Sequence, residues 1–507
     1  MKNILVSKTA PFLLLACLLM AATGCRKNFL DEPRPTQSVT EEEVFRSEAG
    51  VRSYFSGIYS NMRTQWRPIA AVVENSTDAW GYNSINLARI NKGIDIINPG
   101  GWYQFDYRHE NREPAYRRTR FTWQFLYEIV NQTNVIIAGV AKSASIADAA
   151  KLQLTAEARA LRGWLYFELA REFQFTIAKD PNAPGVPIYT EPTTVENSGK
   201  ARGTLQEVYN LVNDDMAFAI TNIGTDRIYK SQINQNVVYG MMARIMLEQK
   251  KWAEAADAAQ KARIGFDLDA AAYRSGYADM EETDEVIWGF PQNTIGMQQS
   301  LYYGTPSSFY EKTGNGYDNF YVNTELVNNF SETDVRNTFY VTNANSTNQR
   351  RYSTNKFGTP SADGITLITG ETVPLNETDF NEDLPMMRVA EMYLIEAEAL
   401  AELGQTAAAQ DLLFEVQTNR DEAAVKKNNS GQSLIDEILL ERRKEFYGEL
   451  GIDFLDIKRR QLPLVRGGNH PVAYQFSFAP NDDRLNLKIP QSELDTNDAI
   501  SETDQNP

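Results

Sequence analysis

Residues 387–420, MRVAEMYLIEAEALAELGQTAAAQDLLFEVQTNR, decide the fold of this chain. Apolar and small residues recur at spacings of three to four on both sides of Gly404, as they do in amphipathic helices. A glycine at such a point is typical of the residue that ends a helix. The stretch therefore predicts two antiparallel helices joined by a short turn.

A second stretch, residues 238–263, repeats this plan. It reads VYGMMARIMLEQKKWAEAADAAQKAR and predicts two helices joined by a turn around Gln249–Lys251. Both stretches fit the spacing of the tetratricopeptide repeat, in which small residues let two antiparallel helices approach closely. Generic packing of helical hairpins is the alternative interpretation. Two more helices are predicted over residues 120–140 and 154–173, where apolar residues again recur every three to four positions.

The segments between these helices have a different composition. They hold few long apolar periods and many aromatic, Asn, Gly and Pro residues, with one short strand predicted at EVIWGF, residues 285–290. Long insertions on a rigid frame usually carry function. The predicted fold class is mostly α, a tetratricopeptide-like helical-hairpin scaffold with a long irregular, aromatic-rich ligand-binding lobe. Within residues 40–507 we expect the scaffold mainly in 40–65, 119–264 and 386–460, and the lobe mainly in 66–118 and 265–385.

The N-terminal residues have the pattern of a targeting signal. Two lysines precede APFLLLACLLMAA, which has about the apolar length of a signal-peptide core and is too short to span a membrane as a helix. Small residues precede Cys25, an arrangement that resembles a bacterial lipobox. We therefore expect a signal peptide over residues 1–24, a lipid on Cys25 and a proline-bearing tether over residues 25–39. An ordinary secretory signal with an incidental cysteine is the alternative.

Composition excludes several classes of function. The chain of 507 residues is 42% hydrophobic, enough for a large core, and its net charge of −17 argues against nucleic acid or anionic lipid as a ligand. His109 and His470 lack the spacing of a zinc site, and we expect His109 to be a solvated loop residue. The cluster ERRKEF, residues 441–446, is interpreted as an ion-pair network. No catalytic residue, metal ligand or cofactor is predicted.

Several stretches, taken in order, resemble the SusD/RagB family of surface-exposed outer-membrane lipoproteins. They are CRKNFLDEPRP, FTWQFLYEIVNQTNVII, AEARALRGWLYFELAREF, RVAEMYLIEAEALAELG, ERRKEFYGELGIDFLDIKR and, near the end, IPQSEL with QNP. The resemblance implies a helical lobe that packs against a SusC-like TonB-dependent transporter and a lobe that captures oligosaccharide or, in some members, peptide. It also implies a lid-like role over the transporter, a location facing the cell exterior and no catalysis. A surface glycoside hydrolase is the rival reading, since 67 acidic residues could supply a carboxylate pair.

Candidate ligand-binding residues lie in the aromatic-rich segments. Sugar rings require flat aromatic platforms beside amide, carboxylate or guanidinium groups. Residues 74–83 with 98–107, and residues 298–321, hold that mixture, and Gly100-Gly101 favours an exposed Trp102. Ordinary packing is the alternative for each aromatic residue. The candidates are Trp80, Tyr82 and Trp102 as platforms, Asp78, Asn83 and Arg89 as polar partners, and Tyr302, Tyr303, Tyr310 and Tyr317 from the second segment.

Overall fold

The computed structural model describes residues 41–66, 77–98, 100–194, 196, 199–271, 273, 279–291, 320–341, 352–377 and 382–507. The described helices are α1 (Glu41–Val44), α2 (Glu48–Asn61), α3 (Gly81–Lys92), α4 (Gln104–Tyr107), α5 (Arg117–Lys142), α6 (Asp148–Phe173), α7 (Leu205–Asn222), α8 (Gln235–Glu248), α9 (Trp252–Ala262), α10 (Thr324–Val327), α11 (Val389–Glu402), α12 (Thr406–Arg420), α13 (Gln432–Glu445), α14 (Ile452–Arg460) and α15 (Gln491–Thr496). The described strands are β1 (Ile96–Ile97), β2 (Val286–Phe290), β3 (Tyr321–Val322), β4 (Phe339–Val341), β5 (Tyr352–Thr354), β6 (Thr359–Thr366), β7 (Thr372–Glu377), β8 (Leu384–Arg388), β9 (Leu464–Val465) and β10 (Ser477–Phe478).

Both predicted helical hairpins are confirmed. Helices α8 and α9 meet at the predicted turn, and α11 and α12 meet at Gly404. The φ of Gly404 is 74°, the left-handed conformation that favours glycine after a helix. The two other predicted helices are also confirmed as α5 and α6, which begin a few residues earlier than expected. The hairpin pattern therefore determines most of the helical scaffold.

The hairpins stack side by side around one large apolar core. Helix α5 packs on α6 and α6 on α7, while α9 packs on both α8 and α11, and α11 packs on α12. Small buried side chains allow the close approach, among them Ala255 and Ala259 on α9, Ala397 on α11 and Ala409 on α12, all with no exposed surface. The fold is thus mostly α with a tetratricopeptide-like arrangement of hairpins.

A second, smaller core lies among the short strands. Strands β1, β3, β5 and β4 form an antiparallel sheet in that order. Its apolar residues meet those of α3, including Leu87, Ile90, Val322 and Phe339. The predicted strand at 285–290 is confirmed as β2, which pairs antiparallel with β8 directly before α11. Trp102, in the segment after β1, packs against the edge of this core.

Helix α3 was not expected within the segment 66–118. All of its residues, Gly81–Lys92, are buried. A helix enclosed on every side need not alternate polar and apolar faces, so the periodicity that reveals surface helices is weak there. None of the helices in the described ranges has the combination of length and apolar character that crossing a bilayer requires.

The expectation of a solvated His109 is wrong. The side chain is 4% exposed, and its Nε2 lies 3.0 Å from the carbonyl oxygen of Lys92. Its ring contacts those of Phe454, Phe476 and Phe478. Burial first, and then the positive charge of Arg466, lower the pKa of His109 well below its usual value. The charged neighbours in its sequence did not reveal this apolar enclosure.

The interpretation of ERRKEF as an ion-pair network is confirmed. Glu445 is fully buried and accepts hydrogen bonds from Arg336, Arg388 and Arg420. Burial would raise the pKa of Glu445, but these guanidinium groups lower it well below its usual value. The network therefore joins α13 to β8, to the end of α12 and to the segment before β4.

Candidate functional site

The predicted candidates around α3 lie inside the protein. Trp80, Tyr82 and Asn83 are at most 4% exposed. The backbone N–H of Trp80 donates to Ser84 Oγ at 2.6 Å, and the ring centroid of Tyr82 lies 4.7 Å from that of Trp164 on α6. Both rings are buried, and that of Tyr82 packs in the large helical core, so they do not present platforms to solvent. Their role in ligand binding stays a prediction.

Arg89 joins α3 to α6. Its guanidinium group donates to Glu168 and Glu172, and Nη1 donates to the hydroxyl of Tyr82 at 3.1 Å. Burial would raise the pKa of Glu172, but Arg89, followed by Lys92, lowers it to about 2. The hydrogen bonds of Arg89 are thus directed at the scaffold.

Asp78 holds the start of the lobe against α5. Its carboxylate accepts a hydrogen bond from Arg117 Nε at 2.9 Å, and its backbone carbonyl accepts from Arg118 Nη1 at 3.1 Å. Arg118 also forms an ion pair with Asp106 on α4, with 3.3 Å between Nε and Oδ1. These contacts fix α4 and the turn before α3 on the same helical support.

Trp102 is the described candidate that the structure leaves half-buried. It follows Gly101, which has a φ of 95°, and precedes α4. Its carbonyl oxygen accepts from Asn98 Nδ2 at 2.7 Å, and its side chain packs against the edge of the second core. The glycine turn and the core together hold this indole at the surface of the lobe.

Three further residues, which meet around Arg108 shortly after Trp102 in the chain, were not predicted. Phe105 is 52% exposed, and the Arg108 guanidinium lies 5.8 Å from its ring and 5.2 Å from the ring of Tyr474. Arg108 Nη2 donates to Gln104 Oε1 at 2.9 Å. Within the described parts of the chain, Arg108 has no carboxylate close enough for an ion pair. We call Trp102, Phe105, Arg108 and Tyr474 the Trp102 surface.

The sequence contains a partial indication of this surface. Phe105 and Arg108 are three residues apart on one helical turn, a spacing that brings side chains together. Tyr474, by contrast, lies far along the chain and reaches this place only through the tertiary fold. The candidates Tyr302, Tyr303, Tyr310 and Tyr317, like Cys25, lie outside the described residues.

The chemistry of the Trp102 surface is suited to binding. Aromatic faces can cover the apolar face of a sugar, and a guanidinium group without an ion-pair partner can donate hydrogen bonds to hydroxyl oxygens.

Burial, and then Arg466, lower the pKa of His470 to about 4, so its imidazole is neutral at pH 7. In the described residues no group of three His, Cys, Asp or Glu side chains is placed to hold a metal ion.

Comparison with protein families gives two matches along the chain. Residues 28–247 match the SusD-like family described as starch-binding and associating with the outer membrane. Residues 309–507 match the SusD family, also called SusD/RagB. The two matched regions lie in the same order as the sequence motifs and together span most of the chain.

Curated relatives are distant. A SusD-like protein, P25, of Formosa agariphila is 21% identical over 312 residues, which cover 59% of this chain and 55% of that protein. A SusD-like protein of Bacteroides ovatus is 21% identical over 250 residues, which cover 47% of this chain and 39% of that protein. This chain therefore aligns with about half the length of the curated relatives it matches.

Solved structures share the fold over nearly the whole chain. A SusD-like carbohydrate binding protein from Bacteroides vulgatus has a TM-score of 0.75 at 23% identity, covering 90% of this chain and 98% of that one. A SusD superfamily protein from Bacteroides thetaiotaomicron has a TM-score of 0.75 at 22% identity, covering 91% of this chain and 100% of that one. At these identities the likeness concerns the fold alone.

Proposed function

This chain belongs to the SusD/RagB family, and we propose that it captures oligosaccharide at the cell surface for a partner TonB-dependent transporter. Proteins of this family bind ligands and are not catalysts. The observation that carries the proposal is the Trp102 surface, which holds a half-buried indole and, shortly after it in the chain, an exposed phenyl ring against an arginine that has no ion-pair partner among the described residues. Such a group matches the apolar face and hydroxyl rim of a sugar.

The rigid support of this surface is consistent with capture. Asp78, Arg117, Arg118 and Asp106 tie α4 and the lobe to the long helix α5. Groups fixed before the ligand arrives lose little conformational freedom on binding, which favours affinity. In this proposal the scaffold serves as the platform and the lobe as the part that meets the sugar.

The proposed attachment begins at Cys25. A signal peptide over residues 1–24 is removed, the Cys25 thiol carries the lipid, and residues 25–39 form a tether to the folded part. Two or more acyl chains anchor a protein stably, whereas one binds only marginally. The tether lets the protein act as a lid over a SusC-like transporter, with the scaffold mainly in 40–65, 119–264 and 386–460 and the lobe mainly in 66–118 and 265–385.

Glycan and peptide arrays, followed by calorimetric titration of Trp102→Ala, test this function. We expect the full chain to bind an oligosaccharide on the array. Because an aromatic anchor at the centre of a binding surface contributes at least about 2 kcal/mol, the variant should weaken Kd by roughly thirtyfold. The matched control is Tyr229→Ala, which removes an aromatic side chain that is 59% exposed outside the Trp102 surface.

The result identifies the ligand class directly. Binding to peptides alone would replace oligosaccharide with peptide as the captured nutrient. Unchanged affinity of Trp102→Ala for an array-selected oligosaccharide would overturn the assignment of the site. Cleavage of the glycan by the pure protein would contradict a binding role.

A further inference from the structure

A cleft lies on the helical scaffold, separate from the Trp102 surface. It has a volume of about 520 Å³, within the roughly 300–1,000 Å³ that is usual for ligand pockets. It is bounded by α5, by the segment after Pro187 and by the start of α15, and none of its residues belongs to the Trp102 surface. The residues that line it include Trp66, Trp123, Tyr127, Asn131, Tyr189 and Glu493.

The aromatic walls of this cleft are held in fixed positions. The ring centroids of Trp123 and Tyr127 are 4.9 Å apart, and the ring of Tyr189 stands at 81° to that of Tyr127 at 5.8 Å. The indole N–H of Trp123 donates to Glu493 Oε2 at 3.1 Å, and that of Trp66 donates to Glu128 Oε2 at 2.6 Å. Each carboxylate is therefore oriented by an indole.

Two asparagines of α5, Asn131 and Asn134, differ in which side-chain hydrogen-bonding groups remain available to a ligand. Asn134 uses both ends of its amide, because Nδ2 donates to the carbonyls of Tyr189 and Glu191 and Oδ1 accepts from Arg162. Asn131 uses only its oxygen, which accepts from the backbone N–H of Thr193 at 2.7 Å. Across the described residues its Nδ2 has no hydrogen-bond partner. Asn131 thus offers a free donor at the cleft, and Asn134 does not.

We propose that this cleft is a second binding site, for an uncharged sugar unit. The half-buried rings of Tyr127 and Tyr189 cover the apolar face of the sugar ring, Asn131 Nδ2 donates to a hydroxyl oxygen, and Glu128 and Glu493 accept from hydroxyl groups. The two carboxylates repel a uronate or sulfated sugar, so an uncharged unit is selected. The inference rests on the proposed function, because it takes oligosaccharide as the ligand.

Asn131→Asp tests the site with little disturbance of the fold. The new side chain has nearly the same shape and keeps the oxygen that accepts from Thr193, but it loses the free donor and adds a negative charge. Gln124→Trp is a second variant, in which a large side chain occupies the cleft. The matched control is Asn210→Asp on α7, an exposed asparagine whose Oδ1 accepts from Gln206 and can continue to do so.

The probes are the hexaoses of the neutral polymers amylose, cellulose, xylan and mannan, titrated into the full chain with stoichiometry from native mass spectrometry. For at least one probe we expect two bound molecules per chain. Asn131→Asp and Gln124→Trp should each abolish one of them or weaken it by about tenfold or more, a loss typical of one missing hydrogen bond to a sugar. Trp102→Ala should affect only the other.

The outcomes separate this inference from the proposed function. If both cleft variants bind every probe like the wild type while Trp102→Ala loses affinity, the second site is overturned and the proposed function stands. If the wild type binds no neutral hexaose, the second site is likewise overturned. The proposed capture of oligosaccharide is then tested by the glycan array alone. If the cleft variants lose affinity for a probe and Trp102→Ala does not, the second site is supported and the assignment of ligand binding to the Trp102 surface is contradicted.

Discussion

Glu445 illustrates how single residues hold the scaffold together. Its carboxylate accepts hydrogen bonds from Arg388 Nη1 at 2.8 Å, Arg420 Nη2 at 3.0 Å and Arg336 Nη1 at 2.9 Å, all in the interior. Burying charges is costly, and the cost is offset only while each charge keeps its partners. Loss of this central carboxylate therefore takes one partner from each of three buried guanidinium groups at once, although Asp334, Glu285 and Glu449 remain as partners.

Glu445→Gln should lower the free energy of unfolding by about 3–5 kcal/mol at pH 7. Urea unfolding followed by circular dichroism measures it. The control, Asp411→Asn, removes the partner of Lys426 from an exposed pair and should leave stability nearly unchanged. Equal effects of the two substitutions would contradict the importance of the buried network.

The stability difference between wild type and Glu445→Gln is expected to depend on pH. The pKa of folded Glu445 lies well below the ordinary value of 4.5, so its stabilising contribution is complete above pH 4.5. As the pH falls below 4.5 toward the folded pKa, that contribution is lost. The stability difference between wild type and Glu445→Gln should therefore shrink below pH 4.5.

Single residues of the candidate site were only partly predictable. Trp80, Tyr82 and Trp102 have similar polar neighbours in the sequence, yet the first two are buried and the third is not. The glycines before Trp102 indicated its different position, since they permit a tight turn that leaves the indole only half-buried at the edge of the second core. Tyr474 could not be predicted, because its approach to Arg108 depends on contacts between distant parts of the chain.

Among the elements, α14 begins where the backbone comes close to α3. Gly451, directly before α14, has a φ of 68°, and the preceding Leu450 has a φ of 57°. A Cβ atom on Gly451 would lie 2.3 Å from Arg89 Cβ and 2.9 Å from the Arg89 carbonyl carbon. Backbone atoms cannot rotate away from such a contact, so glycine is required here both by conformation and by space.

Gly451→Ala should lower the free energy of unfolding by about 2 kcal/mol or more, through left-handed strain together with overpacking. The control is Gly404→Ala, at a φ of 74° with nothing within 4 Å of the added Cβ. Gly404→Ala adds only left-handed strain and no overpacking, so it should lower the free energy of unfolding by about 1 kcal/mol. Urea unfolding of both variants measures the difference. A smaller effect at Gly451 than at Gly404 would contradict the close approach of α14 to α3.

Long helices with a regular pattern were predictable, and the enclosed elements of the lobe were not. Helices α9 and α12 expose one face each, so their periodicity appears in the sequence, whereas α11 is almost wholly buried and was predicted from the small and apolar residues that recur before Gly404. Helix α3 is buried on all sides, and strand β1 is only two residues long and pairs with β3 across a long stretch of chain. Such elements are stabilised by tertiary contacts, which a local pattern does not contain.

At the scale of the whole molecule, the large helical core and the smaller core among the short strands support different parts of the protein. The large helical core is built from stacked hairpins, while the smaller core supports the surface that carries Trp102. A net charge of −17 keeps such a chain soluble and disfavours anionic partners. We propose that oligosaccharide binds at the Trp102 surface of the lobe.

Amide hydrogen exchange of the full chain, with and without a saturating array-selected oligosaccharide, tests that claim most directly. Binding at the Trp102 surface predicts slower exchange in residues 100–110 and 472–475, because the ligand limits local opening there. The inner faces of α11 and α12 should exchange as in the free protein. Saturation with ligand and no slowing of exchange in residues 100–110 would contradict oligosaccharide binding at the Trp102 surface.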